Sequence, residues 1–172
     1  METIAVYWEP VIRVYGFELI KDADLIRLRV PISKIGQLGR KISHLSTTGA
    51  NFVLTVLQYI DPNWAEICCV MKKEHHLKCM ANIAVIVKEI DELTLHNQTD
   101  IDVLFFHGPH FQDRYGIVAA AMEVLLDQQT TLHLAGCAGT SIYLIIPGGT
   151  AEKTKTALAA AFTIPHHLGT AA

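Results

Sequence analysis

An internal repeat at a spacing of 80 residues constrains this 172-residue chain more than any single element does. Gly36 corresponds to Gly116, and apolar residues correspond to apolar residues further along each copy. The other equivalent pairs are Leu38 with Val118, Ile42 with Met122, Leu45 with Leu125, Phe52 with Leu132 and Leu54 with Leu134. The repeat predicts two copies of one order of elements: a strand, a helix opened by glycine, a hairpin and a second helix.

Hydrophobic periodicity and turn residues define the elements of the first copy. The predicted strands are Val11–Ile20 and Asp24–Pro31, antiparallel around the turn KDAD, followed by a hairpin of Asn51–Ile60 and Trp64–Met71 around Asp61-Pro62-Asn63. Apolar residues at three- and four-residue intervals predict a helix over Ile35–Thr47. The segment KKEHHLKCMANI is helical in pattern, and IAVIVKEI fits either a helix or a buried strand; we favour a strand from about Ile83.

The second copy shows the same alternation of strand and helix patterns. A strand over Asp102–His107 follows the polar segment HNQTD, and the loop GPHFQDRYG then opens a helix. The remaining predicted elements are the helix Ile117–Asp127, the strands Thr131–Ala135 and Ser141–Ile146, and the helix Ala151–Phe162. The chain is therefore predicted to be α+β, with tandem ferredoxin-like βαββαβ modules at residues 11–90 and 91–165 and a tail at 166–172.

A module of this kind has antiparallel strands with helices on one face, so its other face and its edge strands stay uncovered. We therefore expect modules or subunits to pair, and a homodimer rather than a monomer. The N-terminal hairpin has one strand to spare before the first helix, so we expect that strand to pair within the second module.

Charge and composition argue against several classes of partner. The 14 basic and 17 acidic residues give a net charge of −3, and no long run of like charges occurs, so we expect no nucleic-acid partner. No apolar run approaches the roughly 20 residues of a membrane helix, so we expect no membrane partner. The opening METIAVYWEP lacks the pattern of a signal peptide, which favours a cytoplasmic protein.

Chemistry-bearing residues form no convincing catalytic or metal-binding pattern. The cysteines, at positions 68, 69, 79 and 137, lack C-x-x-C spacing and are predicted to be core thiols. His75-His76 and the pair His107 and His110 lack a third ligand, so we predict surface histidines and no metal site. The segment IPGGTAEKTK lacks the spacing of a phosphate-binding loop. We therefore expect neither an enzyme nor a cofactor.

Four segments together resemble the paired ACT regulatory region of aspartokinases: VIRVYGFELIKDADLIRLRVP, HGPHFQDRYGIVAAAMEVL, TLHLAGCAGTSIYLII and AEKTKTALAAAF. The resemblance extends from about Val11 to Phe162, and nothing in the sequence resembles the catalytic lobe. The chain is similar to the separate small regulatory subunits of some aspartokinases. This implies a non-catalytic regulatory protein that binds a small amino acid or related carboxylate and acts on a partner enzyme. The alternatives are an ACT dimer without ligand, in a structural or interaction role, and, as a minor reading, an enzyme on this scaffold.

The resemblance also implies candidate ligand-binding residues. In that family, effectors bind where the strand-to-helix loop of one module meets the second strand of its partner module, and helix N–H groups face the effector carboxylate. The first loop falls on Ser33, Lys34, Ile35 and Gly36, and the second ends with Asp113 and Gly116. Asp113 either meets a ligand ammonium or caps the helix. The opposing polar residues are Asn51, Gln58, Gln129 and Thr131. We favour the Gly116 loop.

Overall fold

The computed structural model describes residues 12–47, 49, 51–109, 111 and 115–162. These residues form six strands and four helices: β1 (Gly16–Pro31), α1 (Ile35–Thr47), β2 (Phe52–Tyr59), β3 (Trp64–Lys72), α2 (His76–Glu89), β4 (Thr94–His107), α3 (Ile117–Asp127), β5 (Leu134–Ala138), β6 (Ser141–Pro147) and α4 (Ala151–Ala161). Two short 3-10 turns, Ile32–Lys34 and Lys73–His75, lead into α1 and α2. No described helix is long and apolar enough to cross a membrane.

The strands form a six-stranded sheet in the order β2-β3-β1-β4-β6-β5. Strands β1 and β2 both pair antiparallel with β3, and β5 pairs antiparallel with β6 across a two-residue turn at Gly139 and Thr140. The predicted α+β class with ferredoxin-like modules is confirmed. Strands β2 and β5 are the edges of the sheet.

The chain divides into two compact units. We call the continuous central segment, Lys21–Ile101, the inner unit, and the described residues before and after it in the sequence, 12–20 and 102–162, the outer unit. The first five residues of β1 therefore belong to the outer unit, with α3 and α4. The predicted module bounds at residues 11–90 and 91–165 stay a prediction.

The core of the inner unit follows from two periodicities. Alternate residues of β1 and β3 are buried together with residues of α1 and α2 spaced three, four or seven apart. The buried set includes Ile26, Leu28 and Val30 of β1, Ile67, Cys69 and Met71 of β3, Leu38 and Leu45 of α1, and Cys79, Ile83 and Ile86 of α2. Full burial of one such aliphatic side chain contributes about 1.5–3 kcal/mol, so this cluster is the main stabilising feature of the unit.

The outer unit has its own core, centred on aromatic rings. Phe17 of β1 lies 5.2 Å from Phe106 of β4 and 6.2 Å from Phe162, measured between ring centroids. Buried aliphatic residues of α3, β6 and α4, such as Leu125, surround these rings. Tilted and edge-to-face ring pairs of this kind add to the stabilisation that burial provides.

The predicted hairpin between Val11–Ile20 and Asp24–Pro31 is wrong, because Gly16–Pro31 is one continuous strand. The turn-like KDAD contains a single left-handed residue, Asp22, with φ of 54°. Aspartate tolerates this conformation, but the favoured two-residue hairpin turns need either two successive residues with positive φ or a glycine at the first central position, and KDAD has neither. Asp22 therefore produces a local irregularity in β1 and no reversal of the chain.

The predicted strand from Ile83 is also wrong, because α2 continues to Glu89. Cys79, Ile83 and Ile86 recur at helical spacing and are buried, whereas Val85 is 55% exposed. A buried strand would have hidden Val85 as well. Two boundaries differ too: β4 already begins at Thr94, so HNQTD lies within a strand, and β5 begins at Leu134, which places Thr131 before it.

Candidate functional site

The start of α3 borders a cavity of about 370 Å³ in the outer unit. Its walls come from the approach to α3, the first turn of the helix and the β5–β6 hairpin. The described residues that line it are Phe111, 115–119, Cys137 and 139–142. Cavities of about 300–1,000 Å³ are typical of small-molecule sites, so this one is large enough for an amino acid.

Gly116 sets the geometry of the helix start. It is the N-cap residue of α3 with φ of 84°, in the left-handed region, and none of the side chains that the structure describes caps the helix there. The Ala120 N–H donates to the Gly116 carbonyl at 2.9 Å, the first bond of the helical ladder. The N–H groups of residues 117–119 therefore have no partner within the helix. All three residues line the cavity, so the partial positive charge of the helix start lies at its wall.

The opposite wall is the tight turn that joins β5 to β6. Gly139 has φ of 60°, and Ala138 pairs with Ser141 across the turn. This brings the Thr140 and Ser141 hydroxyls and the Cys137 thiol to the cavity. A hydroxyl donates one hydrogen bond and accepts others, so this wall suits a neutral polar or apolar group.

Phe111 closes the cavity beside the aromatic core. Its ring lies edge-on to Phe106, with 6.0 Å between centroids. A Cβ added at Gly108 would collide with the Phe111 ring and with the Arg13 carbonyl oxygen. Glycine at position 108 therefore allows the loop before α3 to fold against the core, a packing role that the sequence analysis did not assign.

The first predicted loop, Ser33 to Gly36, differs from the second. Ser33 and Lys34 lie in the 3-10 turn before α1, and the Ile35 N–H already donates to the Ile32 carbonyl. The Lys34 amine donates to the Asp91 carbonyl at 3.1 Å, and its nitrogen is 3.5 Å from a Glu92 carboxylate oxygen. The ammonium is therefore held by the turn that follows α2.

Gly36 itself lies within α1 and lacks the left-handed φ of Gly116. A Cβ built there would meet only an Arg40 guanidinium nitrogen at 3.9 Å, an ordinary contact. The backbone of this unit therefore does not require glycine at position 36.

Gln58 is part of a hydrogen-bonded network on the sheet. Its side-chain amide donates to a Glu66 carboxylate oxygen at 2.9 Å, and Arg27 and the Cys68 thiol donate to the same oxygen at 3.1 and 3.3 Å. Burial raises the pKa of Glu66, but the hydrogen bonds from Cys68, Gln58 and Arg27, with the Arg27 charge, outweigh it. The net pKa lies below its ordinary value. Gln58 therefore contributes to the stability of β2 and β3.

The other predicted residues are scattered. Asn51 precedes β2, and Gln129 and Thr131 follow α3; all three are exposed. Asp113 lies outside the described residues. Gly116 and Gln129 are at opposite ends of an 11-residue helix, which is about 16 Å long at 1.5 Å per residue. A predicted loop residue and a predicted opposing residue would therefore contact the same ligand only if the two residues came from different modules or from different copies of the chain.

The four cysteines differ in how far they are buried. Cys68, Cys69 and Cys79 are buried as predicted, but Cys137 is exposed, so the prediction of a core thiol is wrong there. Burial raises the pKa of both Cys68 and Cys69 to about 12.

His76 Nδ1 lies 2.8 Å from a carboxylate oxygen of the buried Asp24. In the part of the chain that the structure describes, no three metal-ligating side chains cluster.

Sequence reasoning missed most of the cavity lining. Of the predicted residues that the structure describes, only Gly116 lines it, whereas Phe111, Tyr115, Cys137, Thr140 and Ser141 were not assigned. The available signal was the segment GCAGTS, a glycine-bearing turn between two short apolar runs. A hairpin turn is recognisable from that pattern, but its position next to a helix 20 residues earlier is not.

No protein-family model matches the chain, and no curated protein matches its sequence. Among solved structures, the ligand-free regulatory subunit of aspartate kinase from Thermus thermophilus is similar, with a TM-score of 0.76 and 18% identity, over 87% of this chain and 98% of that one. The Thermus flavus subunit gives the same values. Aspartate kinase from Synechocystis has a TM-score of 0.77 and 13% identity, over 90% of this chain and 27% of its own. At these identities the likeness is one of fold, and at that level the resemblance to an aspartokinase regulatory region is confirmed.

Proposed function

We propose that this chain, which has the fold of aspartate kinase regulatory subunits, is a non-catalytic regulatory protein that binds a small amino acid or related carboxylate. The ligand occupies the cavity at the start of α3. The observation that carries the proposal is that the cavity lies at a helix start where no described side chain forms a cap, and that the first N–H groups of this helix belong to lining residues. The likeness in fold over 98% of a separate regulatory subunit supports a regulatory role.

The physical basis for binding is the unsatisfied start of the helix. A ligand carboxylate that accepts hydrogen bonds from residues 117–119 interacts with aligned backbone dipoles inside a partly enclosed space. Gly116 adopts a left-handed conformation and has no Cβ, so a ligand can approach the backbone closely at the helix start. Asp113 is the group we propose for the ligand ammonium.

We also propose that the chain acts as a homodimer and that its ligand changes the activity of a partner enzyme. Strand β2 is an edge of the sheet, and Leu57 and Tyr59 on it are 51% and 68% exposed. An edge strand with exposed apolar side chains is a surface that proteins normally cover. When two copies of the chain pair, the Ser33–Gly36 loop can lie beside Asn51, Gln129 or Thr131 of another module and form a second binding site with it.

A ligand-free ACT dimer with a structural or interaction role is the second candidate. The observation in its favour is that Lys34, the cation of the first loop, is already held by Asp91 and Glu92. Under this alternative the exposed β2 edge would be the functional surface and the α3 cavity would have no ligand.

A binding screen separates the two candidates. The purified chain is titrated calorimetrically, and its thermal unfolding is measured, with each common amino acid and with small dicarboxylates. Ligand at a hundred times its dissociation constant stabilises the protein by about 2.7 kcal/mol. We expect at least one amino acid to give both heat and a thermal shift. The absence of both for every compound would support the ligand-free alternative.

A further inference from the structure

The solvent-exposed side of α2 is apolar over most of its length. Leu77 is 84% exposed and Val85 is 55% exposed, and Ala81 and Ala84 are exposed between them. The exposed side of a helix on the surface of a globular domain is normally polar. Single exposed apolar residues are common, but a continuous apolar patch on one helix is typical of a site of protein association. We call these four residues the α2 patch.

Positive charges lie at both ends of the α2 patch, where Lys78 and Lys88 are exposed. The helix sequence HLKCMANIAVIVKE contains one acidic residue, Glu89. The Glu89 carboxylate already pairs with the Lys41 ammonium of α1. The α2 patch therefore suits a partner surface that is apolar and carries carboxylates, because charges of opposite sign across an interface select the partner.

The exposed side of α3 is also apolar, but its charges are negative. Leu126 is 77% exposed and Met122 is partly exposed. Glu123 and Asp127 are exposed on the same side, and they are the only charged residues in the helix sequence IVAAAMEVLLD. We call these four residues the α3 patch. Its apolar side chains and its carboxylates complement the α2 patch.

We infer that the α2 patch of one copy of this chain docks against the α3 patch of a second copy. The partner is a second copy because each chain carries both complementary surfaces, so every copy can supply either one. Two α2 patches, or two α3 patches, would bring like charges together, which disfavours those pairings. The contact joins two different surfaces of the chain. It is separate from the β2 edge and does not rest on ligand binding.

The small size of the two patches makes this a weak contact. One side of a helix against another buries less surface than the roughly 1,600 Å² of a standard interface. Exposed ion pairs add little affinity, so the charges mainly select the partner. We therefore expect a dissociation constant on the order of 0.1 mM. The contact should form at hundreds of micromolar protein and hardly at all at a few micromolar.

Charge reversal tests the pairing of the two patches. Lys78→Glu with Lys88→Glu makes both patches acidic, and Glu123→Lys with Asp127→Lys makes both patches basic. Sedimentation of the full chain from about 5 µM to about 500 µM covers the expected dissociation constant. We expect the wild type to form larger species as its concentration rises, and each double variant to associate at least tenfold more weakly. A wild type of constant size, or double variants that associate as tightly as the wild type, would overturn the inference.

An equimolar mixture of the two double variants is the control for these losses. In the mixture, the acidic α2 patch of one variant meets the basic α3 patch of the other, and the two unchanged patches also have opposite charges. We expect the mixture to associate as the wild type does. A chain with all four reversals has the wild-type net charge and should also associate as the wild type does. Failure of either to regain association would overturn the pairing. Because all four side chains are exposed, urea unfolding should show that each variant keeps its fold.

The apolar part of the contact has its own test. Leu77→Ser and Leu126→Ser each remove an exposed apolar side chain from one patch, and we expect each to weaken association at least fivefold. Leu77→Met keeps an apolar side chain of similar size, so it is the matched control and should associate as the wild type does. Unchanged association in both serine variants, or equal weakening by Leu77→Met and Leu77→Ser, would overturn the docking of the two patches.

Discussion

Gly36 and Gly116 are equivalent in the sequence repeat but not in conformation. Gly116 has φ of 84° at the start of α3, whereas Gly36 lies inside α1 without a positive φ. The left-handed region costs an L-residue about 1–2 kcal/mol. Glycine is therefore required by the backbone at position 116 alone, and that difference gives a matched pair of variants.

We predict that Gly116→Val lowers the free energy of unfolding by about 1–2 kcal/mol through backbone strain and abolishes the binding of an amino acid at the start of α3. Gly36→Val should change stability by less than about 0.5 kcal/mol, because valine and glycine differ little in helix propensity. Urea unfolding and calorimetric titration measure the two effects. Equal destabilisation by both variants would show that the two glycines have the same conformational role.

The network around Glu66 gives a prediction for pH. Its pKa lies below the ordinary value of 4.5, so the charged form contributes stability that is present above that pH and lost as pH falls through the folded-state pKa. Glu66→Gln should lower the free energy of unfolding by about 1.5–3 kcal/mol at pH 7, the usual range for hydrogen bonds to a charged group. The difference from wild type should shrink at pH 3.

Urea unfolding at the two pH values measures this difference. Glu74 is the control, since its side chain is 67% exposed and Glu74→Gln should have little effect at either pH. A Glu66→Gln deficit that is the same at pH 3 as at pH 7 would mean that the charge of Glu66 is not what stabilises the network.

At the scale of elements, the long strand β1 contributes buried side chains to the cores of both units. From Ala23 onward it pairs with β3 in the inner unit, whereas Phe17 near its start is buried in the outer unit. The start of the strand is therefore part of the packing around α3 and α4, although these helices follow it by about 100 residues in the chain.

We predict that Phe17→Ala destabilises the outer unit by about 3–5 kcal/mol, the usual cost of removing a buried aromatic ring. The lost contacts are with Phe106 and Phe162. Hydrogen exchange should show reduced protection of amides in β4 to α4 of the outer unit. Glu18→Ala, at an exposed position of the same strand, is the control. Unchanged protection in Phe17→Ala would exclude the strand from that core.

For the whole molecule, the exposed β2 edge gives the prediction that tests assembly. Leu57→Lys places a charge at an exposed position, so it should change monomer stability by less than about 0.5 kcal/mol while weakening a β2-mediated homodimer at least tenfold. Leu77→Lys on α2 is the control, because Leu77 is 84% exposed and lies away from the strand. Sedimentation at micromolar concentration distinguishes dimer from monomer. A monomeric wild type would contradict the homodimer, and an equally dimeric Leu57→Lys would contradict the β2 interface.

The sequence alone determined the fold class and most of the helices. Helices over Ile35–Thr47 and Ile117–Asp127 were predicted with the observed bounds, because apolar spacing and nearby glycines are local signals. The repeat held for buried pairs such as Leu45 with Leu125. The helices depend on residues within one or two turns of each other, so the spacing of apolar residues predicts them directly.

The tertiary structure decided what depends on distant neighbours. Whether KDAD reverses the chain depends on the pairing of β1 with β3, and whether IAVIV is a helix depends on which of its residues the sheet covers. The cavity exists because the turn at Gly139 lies against a helix that begins at residue 117. Its described lining combines residues that no local pattern connects. A sequence pattern predicts which side chains are buried. Which residues cover them depends on how the helices and strands pack, because those residues are distant in the sequence.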